Sequence, residues 1–323
     1  MQSPPISQVE IDTRIHRHID DLLQLYWAEQ GASKPRDLQL IASAIPFPRD
    51  QSIRVLDLCC GPGDVGRAVR QIYPTAHVDF IDRDPFLTSI CAAVNRRDGI
   101  PGTLVVRDLE DDGWADTLPG NYDVIATVNA LHWFDAGRAA QLLKDVYGTL
   151  RDGGVFLLAE PACPERPFVA GFDEWKAKQP PRYAREHWQR FWSRANALLG
   201  YDHTSLLGPP EAKRIGDGMS VAGWIGLLQH ARFAFTDVLL RDADQTIIGA
   251  LKSIQNEGVQ QSEVQSGSVL RACARRSGPR RATEGRAAGL TTSRSRVTPQ
   301  SLFIRPRQIE IPCATTQERA RIL

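Results

Sequence analysis

The sequence predicts a doubly wound α/β domain, a mostly parallel sheet with helices on both faces, and three observations lead there. From Arg54 onward, short apolar strands alternate with amphipathic helices. The strands are near-continuous runs of Val, Ile, Leu and Phe, which is how strands read when both faces of a sheet are covered. A glycine-rich turn, Gly61-Pro62-Gly63-Asp64-Val65-Gly66, follows the first strand and opens a helix.

Taken in order, Ile11, Ile15, Ile19, Leu22, Leu23 and Tyr26 recur at helical spacing and predict one helix from Val9 to Gln30, with a shorter one from Asp37 to Ala44. Residues 1–50 thus read as a helical cap, ahead of a main domain over 51–252. In that domain RVLDLC reads as a strand, Asp64 to Ile72 as a helix, HVDFID as a strand and Pro85 to Asn95 as a helix. The strands GTLVVRD and YDVIATVN follow, then a helix from Ala136 to Leu150 and the strand GGVFLLAE. After Pro161 the rhythm breaks, and residues 162–222 read as a helical lid insertion in a Trp-rich stretch (Trp175, Trp188, Trp192, Trp224). Its best helix, Tyr183 to Leu199, carries Trp188, Phe191, Trp192, Ala195 and Leu198 on one stripe. That stripe suits a helix packing its own core face or an aromatic wall over a substrate. Finally, ARFAFTDVLLRDADQTIIGALK reads as two strands around a tight Asp-Ala-Asp turn, a terminal antiparallel hairpin.

Composition narrows the function classes. At 323 residues and 42% hydrophobic content the chain can bury one large core or two modest ones. No run approaches the roughly 18 apolar residues of a membrane helix, and MQSPPISQVEID lacks the basic start and apolar middle of a secretory signal. A cytoplasmic protein without a membrane partner is expected. Six cysteines without C-x-x-C spacing indicate neither a zinc site nor a disulfide framework, so no metal is expected. The net charge of +1 is unevenly spread: residues 253–323 hold twelve Arg and five Glu with no Lys or Asp, leaving the body acidic. That Arg- and Ser-rich tail has no apolar period and reads as a disordered, solvated segment. Clustered Arg could neutralise phosphate, but no interleaved aromatic platform accompanies it, which argues against a nucleic-acid partner.

The glycine turn alone suits any ligand needing close backbone approach, a nicotinamide dinucleotide included. Asp57, four residues before Gly61, is more telling. A carboxylate beside a pyrophosphate would repel it, whereas one beside an ammonium or sulfonium attracts it. The turn is therefore expected to hold a cationic cofactor.

At these residues the chain resembles the class I S-adenosylmethionine-dependent methyltransferases, whose fold is Rossmann-like with a seven-stranded sheet. Asp57-Leu58-Cys59-Cys60-Gly61-Pro62-Gly63 is similar to that family's acidic-x-Gly-x-Gly-x-Gly loop, with Cys59 standing at the first glycine position. The resemblance implies S-adenosylmethionine as cofactor and continues in order along the chain. Asp82, with Arg83 beside it, falls where an acid holds the ribose hydroxyls. Asp108-Leu109 falls where an acid and the next backbone amide meet adenine, and YDVIATVNALHWF places Asn129 near the methionine moiety.

Methyl transfer to such a domain's acceptor needs alignment and water exclusion more than a triad. If the acceptor carries a proton to lose, His132 after the fourth strand is the candidate base, and it could equally line the pocket. Trp133, Trp188, Trp192 and Tyr26 are candidate pocket residues, Tyr26 by closing over the cofactor. Base-methylating enzymes of the family carry Asn/Asp-Pro-Pro-Tyr/Phe where this chain has Asn129-Ala130-Leu131-His132, so a small, partly apolar acceptor is expected. Two other readings stand beside it: an RNA modifier tethered by the Arg-rich tail, and a non-catalytic cofactor-binding homologue signalled by Cys59.

Overall fold

The computed structural model describes residues 8–29, 33–179, 185–200 and 219–254. They belong to one compact unit, Met1–Gly258. Residues 255–323, which hold nearly all of the Arg-rich tail, and residues 201–218 of the insertion lie outside the described set.

Three helices come first: α1 (Gln8–Arg17), α2 (Ile19–Glu29) and α3 (Ser33–Ala44). The single helix expected over Val9 to Gln30 is two, divided at His18. Its amide is shared between the carbonyls of Arg14 (3.2 Å) and Ile15 (3.0 Å), a local tightening that the apolar period does not register. The body then alternates as expected: β1 (Arg54–Leu58), α4 (Asp64–Ile72), β2 (His77–Asp82), α5 (Pro85–Asp98), β3 (Leu104–Val106), β4 (Tyr122–Val128), α6 (Ala136–Thr149) and β5 (Leu150–Pro161). Two helices of the insertion follow, α7 (Val169–Lys176) and α8 (Arg185–Leu199), then α9 (Val221–His230) and the hairpin β6 (Phe235–Asp242) and β7 (Gln245–Leu251).

The seven strands lie in the order β3-β2-β1-β4-β5-β7-β6. The first five are parallel, and β7 pairs antiparallel with both β5 and β6. Strand order reverses at β1, so its carboxyl end faces a crevice suited to a ligand.

Alternate residues of the central strands feed two layers, which is why these segments read as continuous apolar runs. On one face Leu56, Ile125, Phe156 and Leu158 pack with Leu142, Leu143 and Val146 of α6 and with Trp224 and Leu228 of α9. On the other, Val55, Val78, Phe80 and Val124 pack with Ile41 and Ile45 around α3 and with Val65 and Val69 of α4. Gly66 permits this approach: a Cβ there would stand 2.5 Å from the Phe80 ring. Trp224 therefore belongs to the sheet's own core and not to the insertion's aromatic set.

A third cluster makes the cap. Ile15, Leu22, Leu23 and Tyr26 meet Phe86, Ile90 and Val94 of α5 and Phe191 and Ala195 of α8. Trp192 packs at the edge of this cluster, 5.5 Å from the Phe86 ring and 4.9 Å from that of Phe191. The stripe on α8 thus closes a core with α1 and α2, the first of its two expected uses. Trp188 sits on the same helix, with its side chain outside the described residues.

Candidate cofactor and acceptor site

The turn after β1 is built from backbone. Cys59, Gly61 and Gly63 take left-handed conformations at φ 55°, 51° and 83°, which glycine adopts freely and cysteine at a cost of about 1–2 kcal/mol. The amide of Cys60 donates to the Ile81 carbonyl at 3.0 Å, and that of Gly63 to the Cys60 carbonyl at 2.8 Å. A Cβ on Gly63 would strike the Cys91 sulfur at 2.8 Å, so this turn must pass close under α5. A Cβ on Gly61 would stand 3.6 Å from the Tyr26 hydroxyl, so the cap roofs the turn across a gap that a side chain would fill.

Asp57 proves to be a brace. It is 1% exposed, and one oxygen accepts the Gly66 amide at 2.9 Å, tying the first turn of α4 back to β1. Burial, opposed by that hydrogen bond and reinforced by Asp64, pushes its pKa well above the usual carboxylate value. The acid expected to attract a cationic guest thus also supports the loop that would hold it. A second carboxylate at the turn comes from the next strand.

Asp82, at the carboxyl end of β2, is half-buried and accepts the Gly61 amide at 2.8 Å and the Asp84 amide at 2.9 Å, one on each oxygen. The Arg83 amide is a third backbone donor to it, and the carboxylate's remaining lone pairs suit the hydroxyls of a vicinal diol. Burial raises its pKa, against those backbone donors and Arg83. Arg83 leans outward, 3.3 Å from Asp108, which sits in the loop after β3 and accepts the Glu110 amide at 3.0 Å. The Leu109 carbonyl is held by the Arg138 guanidinium of α6, with its Nε at 2.6 Å. Asn129 follows β4 at φ 54°, its amide donating to the Ala159 carbonyl and its side-chain oxygen accepting from Gln245 at 3.1 Å.

His132 lies in a short helical turn after β4 (Leu131–Trp133) and is anchored by a residue to which the sequence reading gives no role. Glu160, at the end of β5 and 0% exposed, accepts the Ala130 amide at 2.8 Å and the Leu131 amide at 2.7 Å on one oxygen. Its other oxygen lies 2.7 Å from His132 Nδ1. The His132 ring is 15% exposed, and the Trp133 ring lies 5.2 Å from it and is 44% exposed. Phe134, by contrast, belongs to the core. The signal for Glu160 was present, an acid closing the apolar run VFLLAE, the same kind of signal that singled out Asp57.

These groups converge on the turn. The Cys59 thiol is pushed well above its ordinary value, first by burial and then by the fields of Asp82, Glu160, Asp57 and Asp108. That direction disfavours the thiolate form. A second missed group fastens the cap: Lys34, at the start of α3, pairs with Asp64 at 2.7 Å and donates to the Tyr26 hydroxyl at 2.9 Å. Trp27 and Arg67 also bond Asp64. Burial disfavours the Lys34 ammonium, but Asp64 and Tyr26 hold its pKa above the usual lysine value. Nothing in the sequence marks Lys34, whose partner lies thirty positions away.

Among the described residues no group of three or more His, Cys, Asp or Glu is placed to hold a metal ion, and no helix is long and apolar enough to cross a membrane. A backbone cradle, a half-buried acid with free lone pairs and several carboxylates fit the cationic, ribose-bearing S-adenosylmethionine better than a dinucleotide's pyrophosphate.

Residues 55–154 match the family model described as a methyltransferase domain. A trans-aconitate 2-methyltransferase of Streptomyces avermitilis is 32% identical over 94 residues, 29% of this chain and 34% of that protein. A ribosomal RNA small subunit methyltransferase C of Pseudomonas entomophila is 29% identical over 121 residues, 36% of this chain and 35% of that protein. The chain thus matches about a third of the length of each of these curated relatives. Among solved structures, an O-methyltransferase family protein from Burkholderia thailandensis superposes with a TM-score of 0.46 at 17% identity, over 69% of this chain and 57% of that one. Over residues 55–154 the chain is thus similar to a methyltransferase domain, and the sheet order and the glycine turn agree with that similarity.

Proposed function

We propose that this protein transfers a methyl group from S-adenosylmethionine to an oxygen, nitrogen or carbon atom of a small, partly apolar acceptor by in-line displacement. The observation that carries this reading is the set of carboxylates gathered around the Cys59–Gly61 turn, Asp82 foremost, which favours a sulfonium guest over a pyrophosphate. The cofactor supplies a methyl carbon already activated by positive sulfur; the chain's own residues bind, orient and exclude water. Asp82 would take the ribose hydroxyls, and Asp108 with the Leu109 amide the adenine, Arg83 covering that edge. Gly61, Gly63, Cys59 and Asn129 would surround the methionine portion, with Tyr26 closing over it. Asp57 supports the reading from beneath, by holding the loop.

His132 would accept a proton from an acceptor that has one to lose, beside Trp133 as an apolar wall. For the acceptor class, the Streptomyces avermitilis relative is named for trans-aconitate, a small molecule. The Pseudomonas entomophila relative is named for ribosomal RNA, but Asn129-Ala130-Leu131-His132 departs from the base-methylating motif and the body is acidic.

The test is transfer of labelled methyl from S-adenosylmethionine, with trans-aconitate, phenolic and amine acceptors in one panel and ribosomal RNA in the other. Label in a small acceptor, lost in Asp82→Ala, is expected. Label in RNA alone would overturn the acceptor class.

A further inference from the structure

We infer that Glu160 is the positioning residue for His132: it holds the imidazole in the tautomer protonated at Nδ1 and so leaves Nε2 as the proton acceptor. This rests on the proposed methyl transfer and deepens it, because it assigns the reacting nitrogen and a residue on another strand that sets it.

The geometry leaves the imidazole one arrangement. β4 and β5 run side by side, with Val128 opposite Ala159, so the residue after Ala159 reaches under the turn that follows β4. Glu160 arrives there fully buried. One of its oxygens takes the Ala130 and Leu131 amides, which orients the carboxyl plane; the other takes His132 Nδ1 at 2.7 Å, with the His132 amide 3.4 Å away. A carboxylate surrounded by donors only accepts, so the nitrogen facing it carries the proton, and in a neutral ring the other nitrogen holds the lone pair. The two amides alone do not explain an acid here, since a neutral amide oxygen could accept both and burying a charge is costly. The imidazole, which becomes positive when it takes a proton, does explain it.

The step balances as follows for a hydroxyl acceptor. The O–H bond breaks and its proton passes to His132 Nε2, while the oxygen's electron pair forms the bond to the methyl carbon. The carbon–sulfur bond breaks with its pair left on sulfur. The imidazolium, beside Glu160, later returns its proton to water.

The test reads the ring directly and needs no acceptor. In protein with ¹⁵N-labelled histidine, two-bond correlation spectra assign each imidazole nitrogen as protonated or not. The wild type is expected to show a protonated Nδ1 and a bare Nε2 for His132, identified by loss of its signals in His132→Asn. Glu160→Gln keeps an oxygen for Ala130 and Leu131 but turns a donor toward Nδ1, so the proton is expected to move to Nε2. The Ala130 and Leu131 amide signals of that variant should stay near their wild-type positions, since a merely structural lesion would move them. A wild-type ring protonated at Nε2, or a tautomer unchanged in Glu160→Gln, overturns the inference. Should Glu160→Gln fail to fold, the wild-type spectrum alone decides. A bare Nε2 in a protein that does not bind S-adenosylmethionine would keep the Glu160 assignment and remove the methyl-transfer reading.

Discussion

The two ends of the sheet treat their carboxylates in opposite ways. At the amino end Asp79 is fully buried yet saturated: it accepts the Thr103 amide and the Tyr122 hydroxyl, each at 2.8 Å, and pairs with Arg54 and His77. Burial pushes its pKa up, but those partners prevail and hold it below the usual value. Asp123 beside it accepts the Arg54 amide and pairs with Arg151 at 2.5 Å. At the carboxyl end Asp57, Asp82, Asp84 and Glu160 bond mainly to backbone amides. There burial prevails for Asp57, Asp82 and Asp84, and each pKa is raised. Asp64 departs from the pattern because its cations, Lys34 and Arg67, fasten the cap. One end uses charge to hold strands together; the other uses its carboxyl groups to shape loops.

The contrast breaks most visibly at Asp79. Asp79→Ala should cost about 2–4 kcal/mol in denaturant unfolding, because it leaves the Thr103 amide and the Tyr122 hydroxyl without their acceptor, while S-adenosylmethionine affinity per folded molecule stays unchanged. A parallel loss of affinity would show that the two ends are not separate.

The ends should also titrate with opposite sign. Asp79, with its lowered pKa, contributes stability above the unfolded carboxylate value that is lost as pH falls, so Asp79→Asn should flatten the acid limb below about pH 4. Asp84, the N-cap of α5, is raised by burial and by Asp82 from the usual carboxylate range to about 6. Its native form binds more protons than the unfolded chain in between, so its contribution is full below about 4 and disappears as pH rises through about 6, on the order of 2–3 kcal/mol. Asp84→Asn keeps a capping oxygen and should remove that decline in unfolding curves collected between pH 4 and pH 7; an unchanged decline would count against the assignment.

Smaller effects sharpen the loop's role. Asp57→Ala should cost about 1–3 kcal/mol by leaving the buried Gly66 amide without its acceptor, whereas Asp57→Asn should retain most stability and cofactor affinity. Equal losses of affinity in both would mean that the charge acts on the guest after all. Cys59→Gly should gain about 0.5–1 kcal/mol, the relieved left-handed strain less glycine's entropy, read as a higher denaturation midpoint.

What the sequence made legible follows from what is local. Continuous apolar strands, the glycine turn and the Asp242–Gln245 turn each write their geometry into neighbouring residues, and the sheet order agrees with them. Whether an acid points at a ligand or at an amide is not local. Asp57 and Glu160 have the same signature, a carboxylate in an apolar strand, and their partners lie nine and about thirty positions away. The division at His18 and the Lys34–Asp64 latch depend on packing between the cap and α4, which no period encodes. Of the expected pocket aromatics, Trp192 packs within the cap cluster, and Tyr26 reaches the turn only because Lys34 and Phe191 fix it.

Titration calorimetry of the full chain with S-adenosylmethionine, run beside NAD⁺, tests the central claim most directly. Saturable one-site binding of the former, lost in Asp82→Ala, and no heat from the latter is the predicted result. Binding of NAD⁺ with none of S-adenosylmethionine would contradict it.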